Sequence, residues 1–261
     1  MEEYTREGVA ENLGTRVIGR YIRWHDTLSS TNDLATSLAE IQVPEGTVIV
    51  AEEQTAGRGR MGRPWVSPRG GIWLSVILRP HLPLAQVPIV GFAASTAVAR
   101  AIRVTTGLLA RVKWPNDVLI NGRKVAGILA EAGPDGEWVV VGIGINANIA
   151  PDDLPKGAAH AAASLEELLG HPVDRGVLTK TLLRELERSY EELSTVGPMA
   201  TLRRWREMAD TLGRVVRVEM PEGALEGIAC DIDDSGALVV RLRNGTLQRV
   251  IAGEIAVREV W

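Results

Sequence analysis

Asn121-Gly122 constrains the fold more than any other dipeptide in the chain. It lies between two apolar stretches, 118–120 and 124–131, and Asn-Gly supplies the two positive-φ positions of a type I′ hairpin turn. A second turn signal, Gly133-Pro134-Asp135-Gly136, follows and leads into a further apolar run at 138–145. Upstream, 46–51 (GTVIVA) reads as a strand ended by Glu52-Glu53-Gln54, and Ile72–Leu78 (IWLSVIL) as one closed by Arg79-Pro80. A short strand at 110–114 stops at Pro115. Strands joined by tight turns pair antiparallel, so the expected class is α+β, not alternating βαβ.

The helices follow from periodicity and caps. Ser30 with Asp33 three residues later is a capping-box-like start, and Leu34, Leu38 and Ile41 then share one helix face. Residues 85–107 read as a long buried helix with Pro88 in its first turn, where proline is tolerated. Amphipathic helices are expected at 177–193 and 199–212, and residues 1–20 read as a tail or one short helix. After Gly213, short strands alternate with the turn signals Pro221-Glu222-Gly223, Asp233-Asp234-Ser235-Gly236 and Asn244-Gly245, which suggests a small β-barrel. The expected division is 1–20 tail, 21–212 main domain and 213–261 barrel.

With 45% apolar and 24% charged residues among 261, the composition is that of an ordinary globular protein able to bury a core. Its apolar runs are interrupted short of the ~20 residues of a membrane span. The polar, acidic start MEEYTREGVAEN is unlike a secretory signal. One cysteine, Cys230, excludes an internal disulfide, and the four histidines do not fall at metal-ligand spacing. A cytoplasmic location is expected by default.

The net charge of −4 conceals a split. From Gln54 to Asn116 there is no Asp or Glu, against eight Arg and one Lys, so that window carries +9 and the remainder −13. Such a window suits an anionic ligand. Within it, Gly57-Arg58-Gly59-Arg60-Met61-Gly62 matches G-x-G-x-x-G literally. A dinucleotide fold needs a helix starting in the motif and an acid about 20 residues on. Here Pro64 and Pro68 deny the helix and no acid occurs before Asp117. What remains is a loop in which glycine admits close backbone approach and arginine offers a planar fork to phosphate or carboxylate oxygens. It reads as an ordered anion cradle in preference to a nucleic-acid arm.

Only four of 29 basic residues are lysine, and two of them, Lys113 and Lys124, fall in one segment, 112–127. They are either charges flanking a hairpin or, with Asn116 and Asp117, an ammonium–amide–carboxylate set able to hold a triphosphate and its Mg²⁺.

Five motifs together carry a resemblance: Ser30-Thr31-Asn32, the segment 53–63 (EQTAGRGRMGR), 113–117 (KWPND), 123–129 (RKVAGIL) and 142–146 (GIGIN). In order and spacing they resemble the biotin protein ligases, in a form without an N-terminal DNA-binding domain, and the resemblance covers roughly residues 20–261. It implies a class II synthetase-like α+β catalytic domain with a mixed or antiparallel sheet and a small C-terminal SH3-like barrel. It implies joining of biotin to ATP as biotinyl-5′-AMP with release of pyrophosphate. The biotinyl group then passes to one lysine of a biotin carboxyl carrier domain of a carboxylase. A lipoate or octanoate ligase on the related fold is the alternative; a non-catalytic nucleic-acid binder using the acid-free window is a third reading.

The resemblance also implies the site. Biotin's ureido ring would meet Ser30, Thr31, Asn32, Gln54 and the loop Gly57, Arg58, Gly59 and Arg60, with Lys124 and Gly127 at the carboxylate end. Trp73, Leu129 and Ile143 are candidate walls for its apolar part or, equally, core residues. Arg58, Arg60, Lys113 and Lys124 would neutralise the meeting of carboxylate and α-phosphate. Arg60, Arg63, Trp65 (stacked on adenine), Lys113, Asn116, Asp117, Lys124 and Asn146 would contact nucleotide, with Asp117 the metal neighbour. Residues 56–70 are expected to be mobile without ligand. Some relatives carry a DNA-binding helix-turn-helix; only about 20 residues precede the matching region, so no DNA binding is expected. A monomer or a homodimer is equally compatible.

Overall fold

A computed structural model describes residues 4–155, 161–220, 223–251 and 253–258. Its centre is Ile72–Leu78 (β3), buried at every position. Alternation along the strand explains this. Ile72, Leu74, Val76 and Leu78 join the main core, whereas Ile77 joins a smaller cluster under helix Thr31–Glu40 (α2). The main core holds helix Ile89–Thr106 (α3), which packs on Arg175–Thr195 (α5) and Pro198–Met208 (α6). Leu84–Thr106 is by length and composition long and apolar enough to cross a membrane, unlike the reading of interrupted runs. Its most apolar window is 72% buried within the protein.

Around β3 lie Val48–Gln54 (β2) and the strands Arg111–Lys113 (β4), Asp117–Ile120 (β5), Arg123–Ala132 (β6) and Val139–Ile145 (β7). With Ile22–Leu28 (β1) the sheet order is β1-β2-β3-β7-β6-β5-β4. From β2 to β4 neighbours are antiparallel, as the turn signals dictated. Asn121 and Gly122 have φ of 51° and 75°, as the type I′ turn requires.

Three expectations are corrected. β1 escaped the pattern because it is an edge strand in which only Ile22 is fully buried, so its apolar alternation is weak. It pairs parallel with β2 across α2, so one βαβ unit borders an otherwise antiparallel sheet. β2 continues through Glu52-Glu53-Gln54, because Thr27 and Leu28 of β1 continue the ladder opposite Glu53 and Gln54. Ser30 does cap α2, accepting from Asp33 N, but the buried face is Thr31, Ala35, Leu38 and Ala39, with Ile41 exposed.

A helix Arg6–Ala10 (α1) precedes β1, and a short helix Leu165–Leu169 (α4) follows β7. A second sheet comprises Val215–Met220 (β8), Gly223–Ile232 (β9), Leu238–Arg241 (β10), Leu247–Val250 (β11) and Glu254–Arg258 (β12), all pairs antiparallel. The expected turn at Pro221-Glu222 lies outside the described residues. Val216, Val218 and Leu238 of this sheet belong to the same core as α3. Trp114 fastens the two sheets: its backbone N–H donates to Thr211 Oγ1 at 3.0 Å and its indole to Gly236 O at 2.9 Å.

Candidate active site

Beside the N-terminus of α2 the sheet carries a cavity of about 260 Å³. Fifteen of the sixteen predicted site residues line it: Ser30, Thr31, Asn32, Gln54, Arg58, Gly59, Arg60, Arg63, Trp65, Lys113, Asn116, Asp117, Lys124, Gly127 and Asn146. Gly57 lies behind the lining, where a Cβ would fall 2.5 Å from Trp65 O and 2.7 Å from Ser67 Oγ, so its glycine serves loop packing. Of the two roles open to Trp73, the structure gives it the core one. It is fully buried with Ile149 and Leu154, its indole donating to Pro68 O, and does not line the cavity; Leu129 and Ile143 do.

The floor is made by glycines. Gly127 of β6 faces Gly144 of β7, and Leu129 faces Gly142. A Cβ at Gly144 would lie 2.5 Å from Trp65 Nε1, and one at Gly127 2.9 Å from the same indole. A Cβ at Gly142 would lie 2.1 Å from Asn32 Oδ1. Glycine inside a strand marks close approach of another group. Here the groups are Trp65, seated across the floor, and Asn32. The expected adenine-stacking indole is thus packed on the glycines in this structure, with Lys124 Nζ 5.0 Å from the ring centroid.

One end of the cavity is a chain of short polar side chains. Gln54 Oε1 accepts from Thr31 N (2.8 Å) and Thr31 Oγ1 (3.0 Å), while Gln54 Nε2 donates to Ser67 Oγ (2.9 Å). Ser75 Oγ lies 2.8 Å from Thr31 Oγ1 and 2.6 Å from Asn32 Oδ1, and Asn32 Nδ2 donates to Glu131 at 2.8 Å. Ser67, Ser75, Gly142 and Gly144 belong to this site and are not assigned by the sequence reading, whereas Glu131 stands outside the lining and receives the Asn32 amide. The i, i+2 glycines of an otherwise apolar strand were the signal available for Gly142 and Gly144.

The other end is cationic. Lys124 Nζ lies 2.6 Å from Asp117 Oδ1, and the buried Lys113 stands opposite Asp117 in the ladder. The half-buried Arg60 is held below the usual guanidinium value by desolvation, with Asp117 acting in the opposite direction. Asn116 and Asn146 border the cavity but spend their amide N–H on backbone, to Ile128 O (2.8 Å) and Ala163 O (3.1 Å) respectively. Arg58, expected among the charge-neutralising cations, is engaged by two carboxylates. It bonds Asp33 Oδ1 through Nε (2.9 Å) and Nη2 (2.5 Å), and both oxygens of Glu131 at 3.1 Å. The Asp33 bond, foremost, raises its pKa above the usual value.

Asp117 is the one carboxylate among the described residues lining the cavity. No cluster of three metal-ligating side chains occurs among the described residues. That donor set fits Mg²⁺, which is commonly held by one or two carboxylates plus substrate phosphates and water.

A family model for the biotin/lipoate A/B protein ligases matches residues 24–148, and one for the biotin protein ligase C-terminal domain matches 211–258. The bifunctional ligase/repressor BirA of Bacillus subtilis (strain 168) is 38% identical over 247 residues, covering 93% of this chain and 76% of that one. The biotin–[acetyl-CoA-carboxylase] ligase of Paracoccus denitrificans is 38% identical over 218 residues, covering 81% and 90%. Among solved structures, the biotin protein ligase from Aquifex aeolicus in complex with biotin and ATP superposes with a TM-score of 0.78 at 29% identity, covering 92% of this chain and 99% of that one.

Proposed function

This chain belongs to the biotin protein ligase family, and on that premise we propose how its own residues divide the work. The enzyme activates biotin with ATP and passes the biotinyl group to a carboxylase carrier domain. The observation that carries the reading is one cavity with a neutral polar end at Gln54–Thr31–Ser75–Asn32 and a cationic end at Arg60, Lys113 and Lys124.

The neutral end suits the ureido ring, whose two N–H groups and carbonyl need short polar partners in fixed geometry. Each such partner left unpaired in a buried site costs about 1–3 kcal/mol, which rejects a ring lacking them. Leu129 and Ile143, which line the cavity, offer apolar contact to the thioether ring and valeryl chain. At the cationic end a biotin carboxylate oxygen attacks the α-phosphorus, the bond to pyrophosphate breaks, and a mixed anhydride forms. Arg60, Lys113 and Lys124 offset the repulsion between carboxylate and phosphate and the charge that develops in transfer. Asp117 orients Lys124 and is the residue that would hold Mg²⁺, which supplies charge neutralisation of the triphosphate. In the second step the carrier lysine amine attacks the anhydride carbonyl, an amide forms, AMP leaves and the amine loses a proton.

The test is pyrophosphate release from labelled ATP with biotin or with lipoate, followed by labelling of a carrier domain. Biotin-dependent release and carrier labelling are expected. Release with lipoate alone favours the dithiolane ligase, and turnover with neither acid refutes a ligase.

A further inference from the structure

Arg58 lies in the loop that lines the cavity, yet its guanidinium points to two acidic side chains from different elements. Asp33 comes from the first turn of α2, and Glu131 from β6. The fork is satisfied on both edges, with Nε and Nη2 on Asp33 Oδ1 and Nη1 and Nη2 on Glu131. Glu131 Oε2 also accepts from Asn32 Nδ2, which joins this clamp to the neutral polar chain of the cavity. The backbone that Arg58 carries is a small folded arm: Gly59 N donates to Arg63 O (2.7 Å) and Trp65 N to Gly57 O (2.8 Å). Gly59, Arg60, Met61 and Arg63 of that arm all border the cavity.

Planar fork-to-carboxylate pairing supplies geometric specificity as well as attraction. Two pairs on one guanidinium fix its position in two directions. Asp33 and Glu131 do not line the cavity, so neither is placed to touch substrate.

We infer that Asp33 and Glu131 are positioning residues that, through Arg58, hold the glycine–arginine loop over the polar end of the cavity. They set biotin affinity and retention of the adenylate; the rate of bond formation does not depend on them. This rests on the ligase reading above. The role expected for Arg58 as a charge-neutralising cation passes to Arg60, Lys113 and Lys124.

The test uses the full chain with Asp33→Asn, Glu131→Gln and the double variant, none of which adds or removes a trypsin site. Both carboxylates are partly exposed, so the fold survives these changes. The biotin KM should rise about three- to tenfold in each single variant, and further in the double, as charge-assisted bonds become neutral ones. The kcat for pyrophosphate release should stay within about twofold, and more adenylate should escape to solution before transfer. Trypsin cleavage after Arg58 or Arg60 should quicken in the same order without substrates, and Asp33→Glu should restore much of the affinity. A biotin KM and loop cleavage both unchanged, or a fall in kcat at unchanged KM, would overturn the inference. If the unsubstituted protein releases no pyrophosphate with biotin, the ligase reading fails on its own, and the trypsin comparison still decides whether the clamp holds the loop.

Discussion

Replacing Gly142 by alanine isolates the role of the glycine floor. The new Cβ would sit 2.1 Å from Asn32 Oδ1, 2.8 Å from its Cγ and 3.1 Å from its Nδ2. Asn32 is 4% exposed, so its amide must give up the bonds to Ser75 (2.6 Å) and Glu131 (2.8 Å) to move. A neutral bond contributes about 1 kcal/mol, and the charged one, discounted because Glu131 is partly exposed, about another 1 kcal/mol. Alanine inside a strand regains roughly 0.5–1 kcal/mol over glycine. The net loss is therefore about 1–1.5 kcal/mol, or a melting temperature lower by about 2–6 °C at this chain length. Because Asn32 and Thr31 share Ser75, biotin binding should weaken about tenfold, equivalent to ~1.4 kcal/mol. Calorimetric melting and biotin titration measure both. The decisive comparison is the double variant Gly142→Ala with Asn32→Ala. Removing the asparagine amide removes all three nearest atoms, so the double variant should be no less stable than Asn32→Ala alone. Additive losses, or Gly142→Ala with unchanged melting and affinity, would refute the close-approach argument.

Lys124→Ala should cut biotin-dependent pyrophosphate release by about 10²–10³-fold, the usual cost of one preorganised charge-stabilising donor. Circular dichroism should show the fold intact; undiminished release would remove Lys124 from the chemistry. Trp114→Phe deletes the indole donor to Gly236 O, a buried bond between the two sheets. It should lower stability by about 1–2 kcal/mol in a denaturant titration, with activity per folded molecule largely kept. Chelation of Mg²⁺ should abolish pyrophosphate release while biotin titration is unaffected, since the polar end contains no metal donor set; a parallel loss of biotin binding would contradict that separation.

Much of the site was legible because its motifs are local. Ser30-Thr31-Asn32 reads as both helix cap and polar cluster, and the structure keeps both roles: Ser30 caps α2 while Thr31 turns to Gln54. Lys113, Asp117 and Lys124 were grouped by proximity along the chain, and a hairpin does bring them together. The clamp on Arg58 is not legible in the sequence, because nothing in an acid-free window announces that two acids outside it will converge there. Trp73 shares the face of the glycine floor, opposite Gly144, but its ring packs under Ile149 and Leu154, segments far along the chain whose approach its own neighbours do not reveal.

By itself the sequence determined the turns, the caps and most of the strands, since backbone φ preferences and side-chain periodicity act within a few residues. It also determined that cations and glycines would gather in one loop. Tertiary structure alone decided that β1 joins in parallel, and that Gly127, Gly142 and Gly144 share one face of the sheet. It alone decided that Arg58 is held by Asp33 and Glu131. Those outcomes depend on register and on contacts between segments far apart in the chain, where a one-residue slip in pairing turns a side chain to the opposite face.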